Sequence, residues 1–196
     1  KVFLKISEYK TDEILSRLDE NKIDAAILVT PLYNKKVEEH IIFYERFCAF
    51  VANNHLLYHK SKITYKDLKS KTIWLLEEGH CFRNQVLNVC SINKDYKVFK
   101  NINFESENLE TIINLIRNGN GFTLLPELAT KNLSAEEKKN NLKYFNNPIP
   151  SREVSLINSI SYAKKNIISV LKKEIFHNLP KNIKLQKKEN VAIIKI

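Results

Sequence analysis

No apolar run in these 196 residues reaches the ~18 needed to span a bilayer, so a membrane-spanning helix is not expected. The opening Lys1-Val2-Phe3-Leu4-Lys5 alternates too early to be the apolar core of a secretory signal. The chain therefore reads as soluble and cytoplasmic, with no membrane partner. Cysteine is scarce. Three residues, an odd number, do not describe a secreted disulfide scaffold. In a reducing compartment the cysteines that matter serve catalysis, metal binding or redox sensing, and only Cys81 and Cys90 lie close in sequence. Internal repeats and low-complexity blocks are absent. So is the interleaving of aromatic residues and arginine that binds single-stranded nucleic acid. The formal charge of +10 comes mostly from lysines scattered through the chain among many Asn and Ile residues, which reads as a composition bias and not as a dedicated basic face.

What is present is ordinary for a globular protein: 43% hydrophobic and 10% aromatic residues, in a length that suits one large domain or two small ones sharing a sheet. Val2–Ile6 alternates like a strand. Thr11 or Asp12 can cap a following helix whose stripe is Ile14, Leu15 and Leu18. Ile23–Val29 is almost wholly apolar, as in the middle of a parallel sheet, and completes a βαβ unit. Ile41–Tyr44 and Phe47–Ala52 read as two strands separated by Glu45-Arg46. A short capped helix is expected over Thr64–Leu68 and a buried strand over Thr72–Leu76. A helical stripe runs from Phe82 through Val86 and Leu87 to Cys90, and another strand is expected over Val98–Phe104. Leu109–Asn118 is a helix closed by Gly119, and Gly121–Pro126 a strand. Val154–Ile160 is a strand after the Pro148/Pro150 crossing. Asn166–Phe176 is an amphipathic helix with Ile167, Ile168, Leu171 and Ile175 on one face. After the lysine-rich segment from Lys181, Val191–Ile194 can add an edge strand.

Apolar strands recur after each helix, so the class is α/β. The crossings near Tyr44 and Pro148 predict two Rossmann-like subdomains, 1–43 plus 148–196 and 44–147. These would be joined by two crossover strands around a ligand cleft.

The segment richest in chemistry is Glu77-Glu78-Gly79-His80-Cys81-Phe82-Arg83-Asn84-Gln85-Val86-Leu87-Asn88-Val89-Cys90. A helix beginning just after Gly79 would place Cys81 beside unpaired backbone N–H groups, which stabilise a thiolate. His80 and Arg83 supply nearby cationic or hydrogen-bonding partners. If residues 82 to 90 are helical, nine residues separate the two cysteines by ~13.5 Å along the axis. A disulfide tolerates Cα atoms no more than about 7 Å apart, so the bond would require that helix to melt. A zinc site from His80, Cys81 and Cys90 is not expected, because the spacing is wrong and no fourth ligand is near. Cys48 reads as structural, and His55 and His59 as surface residues.

The order Gly-His-Cys, Arg two residues later and Cys nine residues later resembles the redox segment of the OxyR-like, hydrogen-peroxide-sensing family of LysR-type transcriptional regulators. Leu18-Asp19 with Lys22-Ile23-Asp24, Asn108-Leu109-Glu110-Thr111, and Gly119-Asn120-Gly121-Phe122-Thr123-Leu124-Leu125-Pro126 resemble further stretches of that family in the same order, over about residues 1 to 175. The resemblance implies a type 2 periplasmic-binding-protein-like regulatory domain. In it Cys81 is the peroxidatic cysteine, Cys90 the resolving one, His80 a pocket neighbour, and Thr11 the hydroxyl that holds peroxide or an ordered water.

The resemblance also implies a non-enzymatic sensor without cofactor or metal. Such a sensor is a homodimer, or a tetramer at full length, reset by a thioredoxin or glutaredoxin system, and it acts with RNA polymerase on antioxidant genes. DNA would be bound only through an N-terminal winged helix-turn-helix. That element, with the first strand and helix of the regulatory domain, is absent from this sequence, which therefore reads as a fragment. Asn84 departs from the family's usual Asp and removes a charge near the thiol. Two other functions compete: a LysR-type domain that binds a small-molecule effector, and a thiol peroxidase that turns over.

Overall fold

A computed structural model describes residues 3–68, 72–77, 81–91, 106, 108–186 and 191–194. The expected strand over Val98–Phe104 and the residue His80 lie outside these. The elements run α1 (Thr11–Asp19), β1 (Ala26–Thr30), β2 (Val37–Val51), β3 (Lys62–Ile63), α2 (Cys81–Cys90), α3 (Leu109–Asn118) and β4 (Phe122–Pro126). They continue as α4 (Ala135–Asn140), β5 (Leu142–Phe145), β6 (Ile149–Ser159), α5 (Lys165–Asn178), α6 (Lys181–Lys184) and β7 (Val191–Ile193). The class is α/β.

Strand β2 organises the molecule. Its first part, Val37–Arg46, pairs antiparallel with β6, and its second part, Phe47–Val51, pairs with β4 on one side and β5 on the other. One fifteen-residue strand thus replaces the two expected around Glu45-Arg46. Two charges in an apolar run suggest a break. Here the Glu45 side chain is buried and ion-paired, so the backbone continues through it. The register slips once, between Ile41 and Phe43, where the strand bends.

The apolar core falls into separate clusters. The largest holds Phe47, Phe50, Ile63, Leu75, Phe82, Val86, Ile112, Phe122 and Leu124, all from between β2 and β5. A second, around Ile42, Phe43, Val154, Leu156 and Ile168, lies where α5 covers β2 and β6. A third gathers Ile14, Leu18 and Ile157 under α1.

Several expectations are corrected. Phe3–Ile6 joins no ladder among the described residues, and Phe3 and Ile6 are 91% and 89% exposed. Alternation alone does not make a strand without a neighbour to bond to. Strand β1 is not the centre of a parallel sheet, since its one described partner is β6, antiparallel, and Ile27 faces solvent. Ile73–Leu76 is buried, as expected of that segment, and among the described residues its pairing is one bridge, Ile73 to Phe122. The N-cap of α1 is Lys10 without a side-chain bond, so neither Thr11 nor Asp12 caps it. On α5 only Ile168 is fully buried, and Ile167 is exposed. His55 is no surface residue: it is buried against Phe122, and its Nδ1 accepts from the Leu57 amide at 3.3 Å. By contrast, α2, α3, β4 and the edge strand β7 stand where the sequence put them.

Candidate functional site around helix α2

Helix α2 begins at Cys81 and ends at Cys90, so both cysteines of interest sit on one uninterrupted helix. Its ten residues carry no acid in the first turn and no base in the last. Local electrostatics therefore contribute little. Packing holds it: Phe82, Val86, Leu87, Val89 and Cys90 are buried, each large apolar side chain worth about 1.5–3 kcal/mol. An unbroken helix over this span separates the two ends by ~13.5 Å. Cys90 is a free thiol, only 1% exposed, and burial pushes its pKa up to about 12. At neutral pH it is a protonated core residue.

The start of the helix is tied to the segment before it. Arg83 reaches back over the first turn, its Nη1 donating to the Leu76 carbonyl at 2.8 Å. That bond fastens the helix start to the extended segment 72–77. The Lys10 ammonium lies 4.0 Å from the Glu77 carboxylate. Lys10 directly precedes Thr11, the first residue of α1. Asn84 is exposed. Of the residues singled out in the sequence, Cys81 and Arg83 thus stand in the first turn of α2, Thr11 is the first residue of α1, and Cys90 stands at the far end of α2.

A buried ionic cluster behind Phe82 was not anticipated. Phe82 stacks on Phe47 with centroids 5.8 Å apart, and the Arg152 guanidinium lies 5.7 Å from the Phe82 ring centroid. Arg152 Nε donates to Glu45 Oε2 at 2.8 Å, and its second nitrogen lies 2.7 Å from the same oxygen. The other oxygen, Glu45 Oε1, accepts from the Leu128 amide at 2.8 Å. Glu45 is 1% exposed, so this pair survives by satisfying both carboxylate oxygens. The residue after Cys81 is thus packed on an ion pair between β2 and β6. The signal in the sequence was the charged Glu45-Arg46 step inside an apolar run.

Cys48 is buried and donates weakly to the Leu125 carbonyl at 3.4 Å, and burial raises its pKa well above the ordinary thiol value. It packs as a small apolar group. No group of three or more metal-capable side chains occurs among the described residues. No helix among them is long and apolar enough to cross a membrane.

The family model for the LysR substrate binding domain matches residues 1–158. The chain belongs to the LysR substrate-binding domain family. Among curated LysR-type relatives, the hydrogen peroxide-inducible genes activator of Haemophilus influenzae is 32% identical over 152 residues, covering 76% of this chain and 48% of that protein. The DNA-binding transcriptional dual regulator OxyR of Escherichia coli is 28% identical over 159 residues, covering 80% and 50%. The chain spans about half the length of the curated relatives it matches. Among solved structures, reduced OxyR from Porphyromonas gingivalis superposes with a TM-score of 0.82 at 24% identity, covering 98% of this chain and 87% of that one. The reduced form of the OxyR regulatory domain from Pseudomonas aeruginosa gives 0.72 at 28% identity, covering 86% and 79%. The architecture is the periplasmic-binding-protein-like one of LysR substrate-binding domains.

Proposed function

We propose that this chain is the regulatory half of a hydrogen-peroxide-sensing transcription factor, with Cys81 and Cys90 as its redox couple. The observation that carries this reading is one helix with a cysteine at each end, the second cysteine buried and protonated. The Cys81 thiolate attacks one oxygen of peroxide: an S–O bond forms, the O–O bond breaks, and the second oxygen leaves as hydroxide and is protonated to water. The Cys90 sulfur then attacks the Cys81 sulfur: an S–S bond forms, the S–O bond breaks, and the hydroxyl leaves as water with the Cys90 proton. One peroxide is reduced by two electrons, and two thiols become one disulfide. Because that bond needs Cα atoms within about 7 Å, the second step requires α2 to unwind. A covalent event is thereby turned into a change of shape.

The remaining assignments follow the same reading. Arg83 orders the start of α2, and Thr11 and His80 complete the peroxide pocket. The core clusters support two subdomains, 1–43 plus 148–196 and 44–147. Exposed Ile27 on β1 and Val170 and Phe176 on α5 suit a homodimer contact that the refolding rearranges. DNA and RNA polymerase are engaged by the whole regulator in the cytoplasm, and a thioredoxin or glutaredoxin system returns the disulfide to thiols. Consumption is stoichiometric, so the domain is a sensor and not an enzyme.

The test is a short peroxide pulse followed by a free-thiol count and disulfide mapping. A Cys81–Cys90 crosslink, lost in Cys81→Ser, is expected. Fast multiple turnover with thioredoxin, far above the slow resetting of a sensor, would make the protein a peroxidase instead, and an unreactive Cys81 would leave a metabolite-binding regulator.

A further inference from the structure

Gln85 lies on α2 between the two cysteines and is 0% exposed. Neither its amide nitrogen nor its amide oxygen has a hydrogen-bond partner among the described residues. Burying an amide without partners forfeits the bonds it made to water, and none of the described residues returns them. A second observation points the same way. Directly after Cys90 the chain turns through Ser91 at φ 54°, a left-handed conformation that favours glycine and is strained for a residue with a Cβ. The middle of α2 and its exit therefore both carry local penalties, and the dipole-complementing charges that would offset them are missing.

We infer that Gln85, assisted by Ser91, sets the redox equilibrium of the Cys81–Cys90 pair by destabilising the helical, dithiol form. This rests on the reading of those cysteines as a redox couple. The physical argument is one of difference between two states. In the dithiol form the Gln85 amide is buried and unpaired, and Ser91 is held left-handed. In the disulfide form α2 must unwind, so the amide regains water and Ser91 regains a relaxed backbone. Both penalties fall on the dithiol side and favour the disulfide. They partly offset the loss of packing by Val86 and Leu87 that unwinding entails. Gln85 never touches peroxide in this account. It acts as a positioning residue, through the stability of the helix that keeps the thiols apart.

The experiment equilibrates the chain with buffers of reduced and oxidised glutathione. Two glutathione thiols are oxidised to their disulfide for each Cys81–Cys90 disulfide returned to two thiols. Gln85→Met keeps length and apolar volume while removing both unpaired atoms. Its dithiol form should gain about tenfold in the equilibrium, which is about 30 mV towards easier reduction. Ser91→Gly, at an exposed position where folding is not at risk, should move the equilibrium the same way by a smaller factor. Amide exchange over residues 82 to 90 of the reduced chain should slow by a similar factor in Gln85→Met, a readout independent of the disulfide.

An equilibrium within twofold of the parent for both variants, or a shift towards the disulfide, overturns the inference while leaving the redox couple intact. Unchanged exchange in α2 overturns it also. A parent that forms no Cys81–Cys90 disulfide at all overturns the functional reading instead, and with it the role given to Gln85.

Discussion

Helices α2 and α3 have the same length and pack into the same apolar core, yet they are built on opposite terms. At the start of α3, the Asn108 side chain accepts from the Glu110 amide at 2.8 Å. Arg117 in its last turn binds Glu110 at 2.9 Å and Glu137 of α4 at 2.7 Å. The helix ends at Gly119, where an added Cβ would lie 2.6 Å from the Leu115 carbonyl oxygen. Helix α2 has no complementary end charges, a buried unpaired Gln85 and a left-handed Ser91 at its exit. Side-chain bonds secure both ends of α3, whereas among the described interactions α2 has the Arg83–Leu76 bond at its start and rests otherwise on packing. A helix held that way can be taken apart by a single covalent event without dismantling the subdomain around it.

The comparison breaks most visibly at the thiols. Cys81→Ser should abolish the peroxide-induced crosslink completely. Cys90→Ser should stop the reaction after one oxygen has been added to Cys81, with α2 still helical. Intact-mass measurement and amide exchange on α2 and α3 after the same peroxide pulse check both. Loss of protection in α2 of the Cys90→Ser protein would show that oxidation of Cys81 alone melts the helix.

The next largest effect is expected behind Phe82. Arg152→Met leaves the Glu45 carboxylate buried without its cation. Breaking such a pair from one side costs about 3–5 kcal/mol. Denaturant unfolding of the reduced chain measures the loss. Amide exchange should show the first turn of α2, where Phe82 faces Arg152, loosening before α3. Equal loosening of both helices would mean that the ion pair supports the whole subdomain and not the redox helix.

Alkaline pH separates the two helices more gently. The Cys90 thiol is raised by burial from 9.0 to about 12 in the folded chain. An unwound α2 releases its proton at the lower value and the folded one at the higher, so between them the unwound state binds fewer protons. The stabilisation is complete below pH 9 and is lost as pH rises towards 12, by about 1.4 kcal/mol per pH unit for one group. Exchange in α2 of the reduced parent should accelerate across that window relative to Cys90→Ala. Helix α3 has no such thiol and should not show the difference.

Much of this contrast could be read from the residues before the structure. The expected stripe from Phe82 to Cys90 falls on α2, which starts one residue earlier, and the Leu109–Asn118 helix has the bounds its apolar spacing predicts, because both pack one face on a core. The continuity of β2 is not legible in the sequence, because Glu45-Arg46 signals a break unless its distant partner, Arg152, is in place. The alternation of the first residues does not become a strand, because a strand is a relation between two segments and alternation describes only one of them. Gln85 gives no signal in the sequence for the same reason: the residue type is visible there, while its burial without partners is a property of the packed chain. Spacing within one element was legible, and pairing between elements was not.

The smallest expected effect sharpens the comparison from the α3 side. Asn108→Ala removes the side-chain acceptor for the Glu110 amide and should cost about 1 kcal/mol of stability in the reduced chain. A lower denaturant midpoint with unchanged slope would measure it. The redox equilibrium of Cys81 and Cys90 should nevertheless stay within twofold of the parent. The expected reason is cancellation: with α3 folded in both the dithiol and the proposed disulfide forms, the lost cap weakens both equally and drops out of their difference. A penalty on α2 is present in one form and relieved in the other, and it does not cancel. If Asn108→Ala moves the redox equilibrium as far as Gln85→Met does, α2 and α3 melt together on oxidation. The switching unit would then be the packed pair and not the single helix.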